Sequence, residues 1–186
     1  ESNVLSQVQV APKAFVVNGA TFDSGTRVLT VSVTATMQAN ISGNYRIACA
    51  ITEDSVTGTA STYAQHNYYS GGSLGVMGGF ESLPNPVPAA QMSYNSVARA
   101  ITPNFAGLTN AFGTSATTGQ TFTYNFVYTL LSTWDSSQIH IIGIVIDSTG
   151  KIHNTGSATI AEAVSNGFVP GTLVQSTSGI TEANQP

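Results

Sequence analysis

Charged side chains are scarce in this sequence of 186 residues. Nine Asp or Glu and five Lys or Arg make up 8% of the chain and give a net charge of −4, whereas about a quarter of an ordinary soluble domain is charged. The five basic residues are scattered along the chain. Proteins that bind nucleic acid neutralise phosphates with clustered Lys and Arg, so we expect no nucleic-acid partner.

Cysteine and long apolar runs are also lacking. Cys49 is the single cysteine, so there is no intrachain disulfide. Because it lies within an apolar strand pattern, we predict a small buried side chain and not a nucleophile, for which the local sequence offers no base. No apolar run approaches the roughly 18 residues of a membrane span. No basic and then apolar leader opens the chain, so we interpret it as mature or trimmed.

Alternating apolar and other side chains are the dominant pattern that is present. This period of two is typical of β-strands, and no segment shows a convincing helical period. Ser- and Gly-rich turns separate the alternating segments, which favours an all-β fold. We predict an antiparallel β-sandwich, jelly-roll or Ig-like. Its best-patterned strands are residues 27–37, 43–53, 121–131 and 138–146.

Turn residues predict how these strands are connected. Asp23-Ser24-Gly25 and the segment 147–150 each predict a hairpin, and the short connection 38–43 predicts a third, between the first two of these strands. We predict one domain over residues 1–160 that includes a long loop region, 54–119, ordered by its seven aromatic residues. The tail, 161–186, is expected to be extended, and its residues 172–176 to form an edge strand or one exchanged with a neighbouring subunit.

One ion pair is expected at the entry to the long loop region. Glu53 and Asp54 end a strand, and Arg99 lies in an otherwise apolar segment, where an Arg is buried only if it is paired. We therefore predict that Arg99 pairs with Glu53 or Asp54. The two carboxylates together with loop carbonyls offer an alternative, a calcium site, which we favour less.

No set of residues predicts catalysis or a metal. His140 and His153 are expected on paired strands, where they could approach each other, but zinc needs three or four ligands and no third is evident. His66 stands apart from them in the sequence. There is no Gly-x-Ser-x-Gly motif, and nothing selects a pair of catalytic carboxylates. We expect no enzymatic activity, no metal and no cofactor.

Several separated motifs resemble the Omp28-related outer-membrane and secreted proteins of Bacteroidetes. They are GNYRIACAITEDSVTGTASTY at 43–63, Asn67-Tyr68-Tyr69, YNSVARAI at 94–101, and Trp134 followed by the strand 138–145. The resemblance covers roughly residues 25–160. Where the family often has His-Val-Leu-Arg, this chain has Ser96-Val97-Ala98-Arg99, and the missing His weakens any metal or proton role there.

The resemblance implies a location at the outer-membrane surface or outside the cell, but it supplies no activity. Family members often carry a thioredoxin-like domain before the β-domain and use the type IX secretion route. This chain lacks that domain and any Cys-x-x-Cys, which fits a processed product or a stand-alone member. Secreted proteins of these bacteria carry O-glycans at Asp-Ser/Thr motifs, which implies candidate sites at Ser55 and Ser148. Asn40-Ile41-Ser42 matches the N-glycosylation triplet, which we discount in a bacterium.

Two functions remain open. The first is a non-enzymatic structural or assembly module, a subunit of a filament or surface complex joined to other subunits through strand edges or its tail. Its support is the near absence of Lys, which normally guards exposed strand edges. The alternative is a carbohydrate-binding or adhesion module, in which exposed aromatic rings contact glycans. The candidate rings are Tyr63, Tyr68, Tyr69 and Trp134.

Overall fold

The structure is a computed structural model and describes residues 11–175. Strands dominate these residues, as predicted for an all-β fold. They are β1 (Ala14–Asp23), β2 (Val28–Met37), β3 (Ile41–Ser42), β4 (Arg46–Glu53), β5 (Val97–Thr102), β6 (Ser115–Ala116), β7 (Thr121–Thr129), β8 (Ile139–Ile146), β9 (Ile152–Thr159) and β10 (Thr172–Leu173). The helices are α1 (Ile160–Asn166) and the 3₁₀ helices Ser61–Tyr63, Phe80–Ser82, Ala89–Gln91 and Ser136–Gln138. None of the helices in the described part of the chain is long and apolar enough to cross a membrane.

The chain divides into two compact units. Residues 54–97 form one, and the two flanking parts of the chain form the other. The region 54–119, predicted as one long loop, is therefore divided. Residues 98–119 belong with the strands, and they contain most of β5 and all of β6.

Two four-stranded sheets build the larger unit, which confirms the sandwich-like architecture. The first sheet has the order β1-β2-β7-β10 and the second β5-β4-β8-β9, and β3 pairs with β6. The pairs β1–β2, β2–β7, β4–β8 and β8–β9 are antiparallel, whereas β10 and β7 run parallel. β8 lies inside the second sheet, as its apolar faces predicted.

Alternation places the apolar faces of both sheets in one core. On β2 the five predicted apolar positions are fully buried: Leu29, Val31, Val33, Ala35 and Met37. The aromatic stripe of β7 packs into the same core through Phe126 and Tyr128, with Phe122 and Tyr124 at its margin. Buried apolar area of this extent is the main driving force for folding.

Hydrogen bonds from side chains connect the two sheets across the core. The Tyr128 hydroxyl on β7 donates to the carbonyl of Cys49 on β4 at 2.7 Å. The Asn18 amide on β1 donates to the carbonyls of Ile141 (3.0 Å) and Gly156 (2.7 Å). Gly143 makes room for this contact, because a β-carbon there would lie 2.5 Å from Asn18 Oδ1.

The predicted hairpin across residues 38–43 is wrong. β2 belongs to the first sheet and β4 to the second, so the chain crosses between sheets in this connection. Alternation specifies which face of a strand is buried, not which strand is its neighbour, and both strands satisfy the same core. The other two hairpins are present: β1 pairs with β2 across Asp23-Ser24-Gly25, and β8 pairs with β9 across residues 147–150.

The tail after residue 160 was predicted to be extended, but its first part is a helix. Residues Ile160–Asn166 form α1, which Thr159 and Glu162 begin with a capping box. Seven residues are too few to show a helical period, although the Thr-x-x-Glu spacing is itself a helix-start signal. The predicted edge strand exists as β10, where Thr172 and Leu173 pair with Tyr124 and Asn125. The remaining tail residues, 176–186, lie outside the described part.

Burial makes the Cys49 thiol a probe of this core. The side chain is fully buried, and burial raises the pKa of the thiol to about 12. Since the thiolate is the reacting form, we expect the native protein not to react with a thiol reagent at mildly alkaline pH, and to react stoichiometrically in concentrated guanidinium chloride. A Ser24→Cys variant, with a second thiol in an exposed turn, is the control. Equal reaction rates of the two thiols in the native state would contradict the packing described.

Candidate binding cleft

The unit formed by residues 54–97 contains a cleft of about 320 Å³. Two buried side chains, Val87 and Met92, contribute to its apolar lining, and Asn67 is also buried. None of the lining residues carries a carboxylate, an ammonium or a guanidinium group. They are Gln65, His66, Asn67, Tyr68, Tyr69, Met77, Phe80, Val87 and Met92.

Asn67 holds the wall of the cleft in place. Its side-chain amide donates to the carbonyls of Phe80 (2.7 Å) and Leu83 (3.2 Å), and its Oδ1 accepts a hydrogen bond from the Tyr69 N–H at 3.1 Å. The backbone N–H of Asn67 donates to Asn85 Oδ1 at 3.0 Å. A buried side-chain amide whose nitrogen and oxygen are both hydrogen-bonded fixes the backbone around it. The neighbouring aromatic rings are therefore attached to a backbone of defined conformation.

Tyr68 offers a flat aromatic face at the rim of the cleft. Its side chain is 79% exposed, and its ring lies nearly parallel to that of His66, at a centroid distance of 6.4 Å and an interplanar angle of 24°. A ring this exposed contributes little to a core, whereas its face can stack on a ring-shaped ligand. Tyr69, half-buried, lines the cleft beside it.

A glycine-rich segment, residues 70–79, joins this rim to Phe80; we call it the apolar loop. Glu81 secures its end, since Oε2 accepts hydrogen bonds from the N–H groups of Met77 (2.8 Å) and Gly79 (3.1 Å). The bond from Met77 is the main reason that the pKa of the Glu81 carboxyl is lowered. Leu74, Val76 and Met77 remain exposed along the loop.

Two of the four predicted glycan contacts do not lie at the cleft. Tyr63 is half-buried and packs on Tyr94, whose hydroxyl donates to the Tyr63 carbonyl at 2.8 Å. Trp134, predicted to be exposed, is only 7% exposed. The Arg99 guanidinium lies over its ring, at 5.5 Å from the centroid, so the face that a sugar would need is already covered.

The ion pair predicted for Arg99 is formed with Glu53. Arg99 Nε lies 2.7 Å from Glu53 Oε2, with only 13% and 5% of the two side chains exposed. The second oxygen of Glu53 accepts a hydrogen bond from the Asp135 N–H at 2.7 Å. Because N–H donors occupy both oxygens, Glu53 does not present the free carboxylate that the calcium alternative requires. Asp54 accepts a hydrogen bond from the Ser96 N–H at 2.6 Å.

The histidines do not form a cluster. His140 pairs with Thr159 at one end of β9, whereas His153 lies at the other end, roughly 20 Å away along the strand. The two strands pair as predicted, but the close approach that this pairing would have allowed does not occur, because pairing of the strands does not fix the register. His153 Nε2 instead accepts a hydrogen bond from the Lys13 N–H at 2.8 Å, and burial lowers the pKa of its imidazole. Within residues 11–175, no group of three His, Cys, Asp or Glu could hold a metal ion.

Both candidate O-glycosylation sites lie on exposed turns. Ser55 adopts a positive φ of 57° directly after β4, and Ser148 lies in the turn between β8 and β9. Their modification stays a prediction.

Sequence reasoning found part of the cleft. The sequence pointed to Tyr68 and Tyr69. It did not show that the path of the chain brings Met77, Phe80 and Met92 beside them in the cleft. No role was predicted for His66, whose ring lies beside that of Tyr68. The run HNYYSGGSLGVMGGF, with its aromatic and apolar residues inside a glycine-rich loop, was the available signal.

In the comparisons with known proteins, no family model, no curated protein and no solved structure matches this chain. The resemblance to the Omp28-related family therefore stays a prediction from the sequence motifs.

Replacing Glu53 tests the ion pair. Glu53→Gln keeps the size of the side chain but removes the negative charge from the buried pair with Arg99, so we expect unfolding to become easier by about 3 kcal/mol, the scale for one charge lost from a buried pair. Denaturant titration of the full chain measures this. Glu162→Gln, which alters an exposed carboxylate, should shift the midpoint far less. Equal shifts of the denaturation midpoint for the two variants would show that the buried ion pair of Glu53 contributes no more to stability than an exposed carboxylate does.

Proposed function

We propose that this chain is a non-enzymatic secreted or cell-surface module that binds a neutral glycan in the cleft of residues 54–97. The observation that carries this proposal is Tyr68, whose ring is 79% exposed at the rim and is supported from one side by His66. A surface location is supported by the low charge and by the Omp28-like motifs.

The chemistry of the cleft favours an uncharged ring. Sugars present faces of C–H groups that stack on aromatic rings, and hydroxyls that exchange hydrogen bonds with neutral side chains. Tyr68 offers the aromatic face, and Gln65 lies at the rim as an exposed amide. The whole segment 54–97 contains no Lys or Arg, which disfavours acidic sugars. A volume of about 320 Å³ lies at the small end of ligand pockets and suits a ring-sized group.

Binding without turnover is proposed because of the lining residues. Hydrolysis of a glycosidic bond generally uses two carboxyl groups on either side of it. The lining of this cleft contains neither Asp nor Glu. Its one histidine, His66, stacks on Tyr68, a position suited to supporting a binding platform.

A glycan array tests this function. Tyr68→Ala should weaken binding of the recognised glycan about tenfold, the equivalent of one lost aromatic stacking contact, while Tyr68→Phe retains binding. Phe105→Ala is the matched control, because Phe105 is 78% exposed and lies outside the cleft. If the wild-type chain binds no glycan, or if the alanine variants at 68 and 105 behave alike, the proposal fails.

A second candidate function, assembly into a filament or surface complex, is favoured by the edge of β7. This strand pairs with β2 from Thr121 to Thr129, but with β10 only at Tyr124 and Asn125. Within residues 11–175, the end of β7 after Asn125 has no strand partner on that side. Val127 is exposed there, and no Lys guards the edge. Open edges of this kind accept strands from other chains.

Placing a charge at this edge tests assembly. If β7 accepts a strand from another subunit, the wild-type chain should form larger species as its concentration rises, and Val127→Lys should leave it monomeric. Phe15→Lys adds the same charge on the exposed side of β1 and should not change the size. Size-exclusion chromatography with light scattering measures both. A wild-type chain that stays monomeric at every concentration would contradict this candidate.

A further inference from the structure

The apolar loop exposes two large apolar side chains that do not line the cleft, Leu74 and Val76. Val76 is 88% exposed and Leu74 62% exposed, and Met77 and Phe80 continue the same exposed surface. These side chains belong to a stretch, residues 55–80, that contains no Asp, Glu, Lys or Arg. Large apolar side chains grouped in this way on a surface mark an interaction site.

The loop is held at its ends, and the space beside its glycines is open. The Gly71 N–H donates to the Glu81 carbonyl at 3.1 Å, and Glu81 Oε2 accepts hydrogen bonds from two N–H groups farther along the loop. A β-carbon placed on any of its five glycines would meet no atom within 4 Å. The apolar side chains between the glycines therefore project from a thin, anchored loop.

We propose that the apolar loop inserts into the surface of an electrically neutral lipid bilayer. Leu74 and Val76 enter the hydrocarbon at the boundary of the acyl chains, while Tyr68 and Tyr69 lie at the level of the headgroups. Tyrosine favours that level because its ring is apolar and its hydroxyl is polar. Apolar area buried in this way is what drives interfacial binding.

Shape favours a lipid surface over a protein partner. A protein interface needs a complementary surface, with a packed centre and a polar rim, whereas the apolar loop offers a few exposed side chains between glycines that have open space beside them. A fluid bilayer adapts to whatever enters it, so a few apolar side chains held at the end of a loop suffice.

Charge favours neutral over anionic lipids. Binding to anionic membranes depends on clustered Lys and Arg near the surface. Segment 54–97 has two carboxylates, Asp54 and Glu81, and no basic residue. Attraction to a negatively charged surface is therefore absent, and apolar insertion must supply the affinity.

Vesicle flotation tests this inference. The full chain should bind vesicles of phosphatidylcholine, should bind no better when phosphatidylglycerol is added, and should be insensitive to salt. Replacing both Leu74 and Val76 by Ser should reduce the bound fraction at least about tenfold. The matched control replaces Phe15 and Val17, exposed apolar residues of β1, by Ser, and should leave binding unchanged.

A Trp at the loop tip reports its depth. In Val76→Trp the new fluorescence should shift to the blue with vesicles and be quenched by brominated acyl chains, whereas Trp134, being buried, should not respond.

Three results would overturn the proposal: no binding to phosphatidylcholine, binding only to anionic vesicles in a salt-sensitive way, or loss of self-association in the Leu74 and Val76 double variant, which would make the loop a protein interface. Neither Leu74 nor Val76 lines the cleft, so their double variant should still bind glycan on an array without vesicles, and either inference can fail without the other.

Discussion

The carboxylate of Glu53 lies at the last residue of β4, where the chain leaves the second sheet for 43 residues before it returns in β5. One of its oxygens bonds Arg99 on β5, and the other bonds the backbone ahead of β8. A buried carboxylate is tolerated only when such donors replace water. Arg99 is in turn placed over the face of Trp134, and Arg27 donates to the Trp134 carbonyl at 2.7 Å. One charge pair thus fixes two neighbouring strands and the connection that leads to a third. β4 and β5 are neighbours in the second sheet even though a whole unit is inserted between them in the sequence.

In this chain with few charged residues, threonine hydroxyls pair across neighbouring strands of the first sheet. Thr34 and Thr123 lie opposite each other on β2 and β7, with their hydroxyls 3.0 Å apart, and Thr36 and Thr121 repeat the contact at 3.2 Å. Cross-strand threonine pairs stabilise a sheet without the desolvation and entropy costs of long charged side chains. The ion pair of Glu53 with Arg99 is a buried one, where charge is effective because water does not screen it.

Sequence predicted those features that depend on one residue and its neighbours along the chain. The alternation of Leu29, Val31 and Val33 predicted a buried strand face, and the isolated Arg99 predicted an acidic partner. Features that depend on the path of the chain were not predictable. Alternation in β2 and β4 is satisfied by a hairpin or by a crossover between sheets, so it could not distinguish them. Trp134 looked available as an aromatic ring because the guanidinium that covers it is distant in sequence. The cleft was found only as separate tyrosines, because Asn67 and the turns around it bring Phe80 and Met92 beside them.

The absence of basic residues from segment 54–97 has one consequence that applies to any ligand. Without an electrostatic field complementary to the ligand, long-range attraction does not accelerate the encounter of ligand and protein. Recognition then depends on short-range contacts, such as the proposed stacking on Tyr68 or burial of Val76. Each such contact is worth little by itself, about the strength of one aromatic pair or one buried side chain. Tyr68 and the apolar loop belong to the same unit, so engagement of one raises the effective concentration of the other at the same surface. Neutral contacts of this kind are also unscreened by salt. If Tyr68 and the apolar loop bind as proposed, each attaches weakly by itself and the two together attach firmly, at any ionic strength.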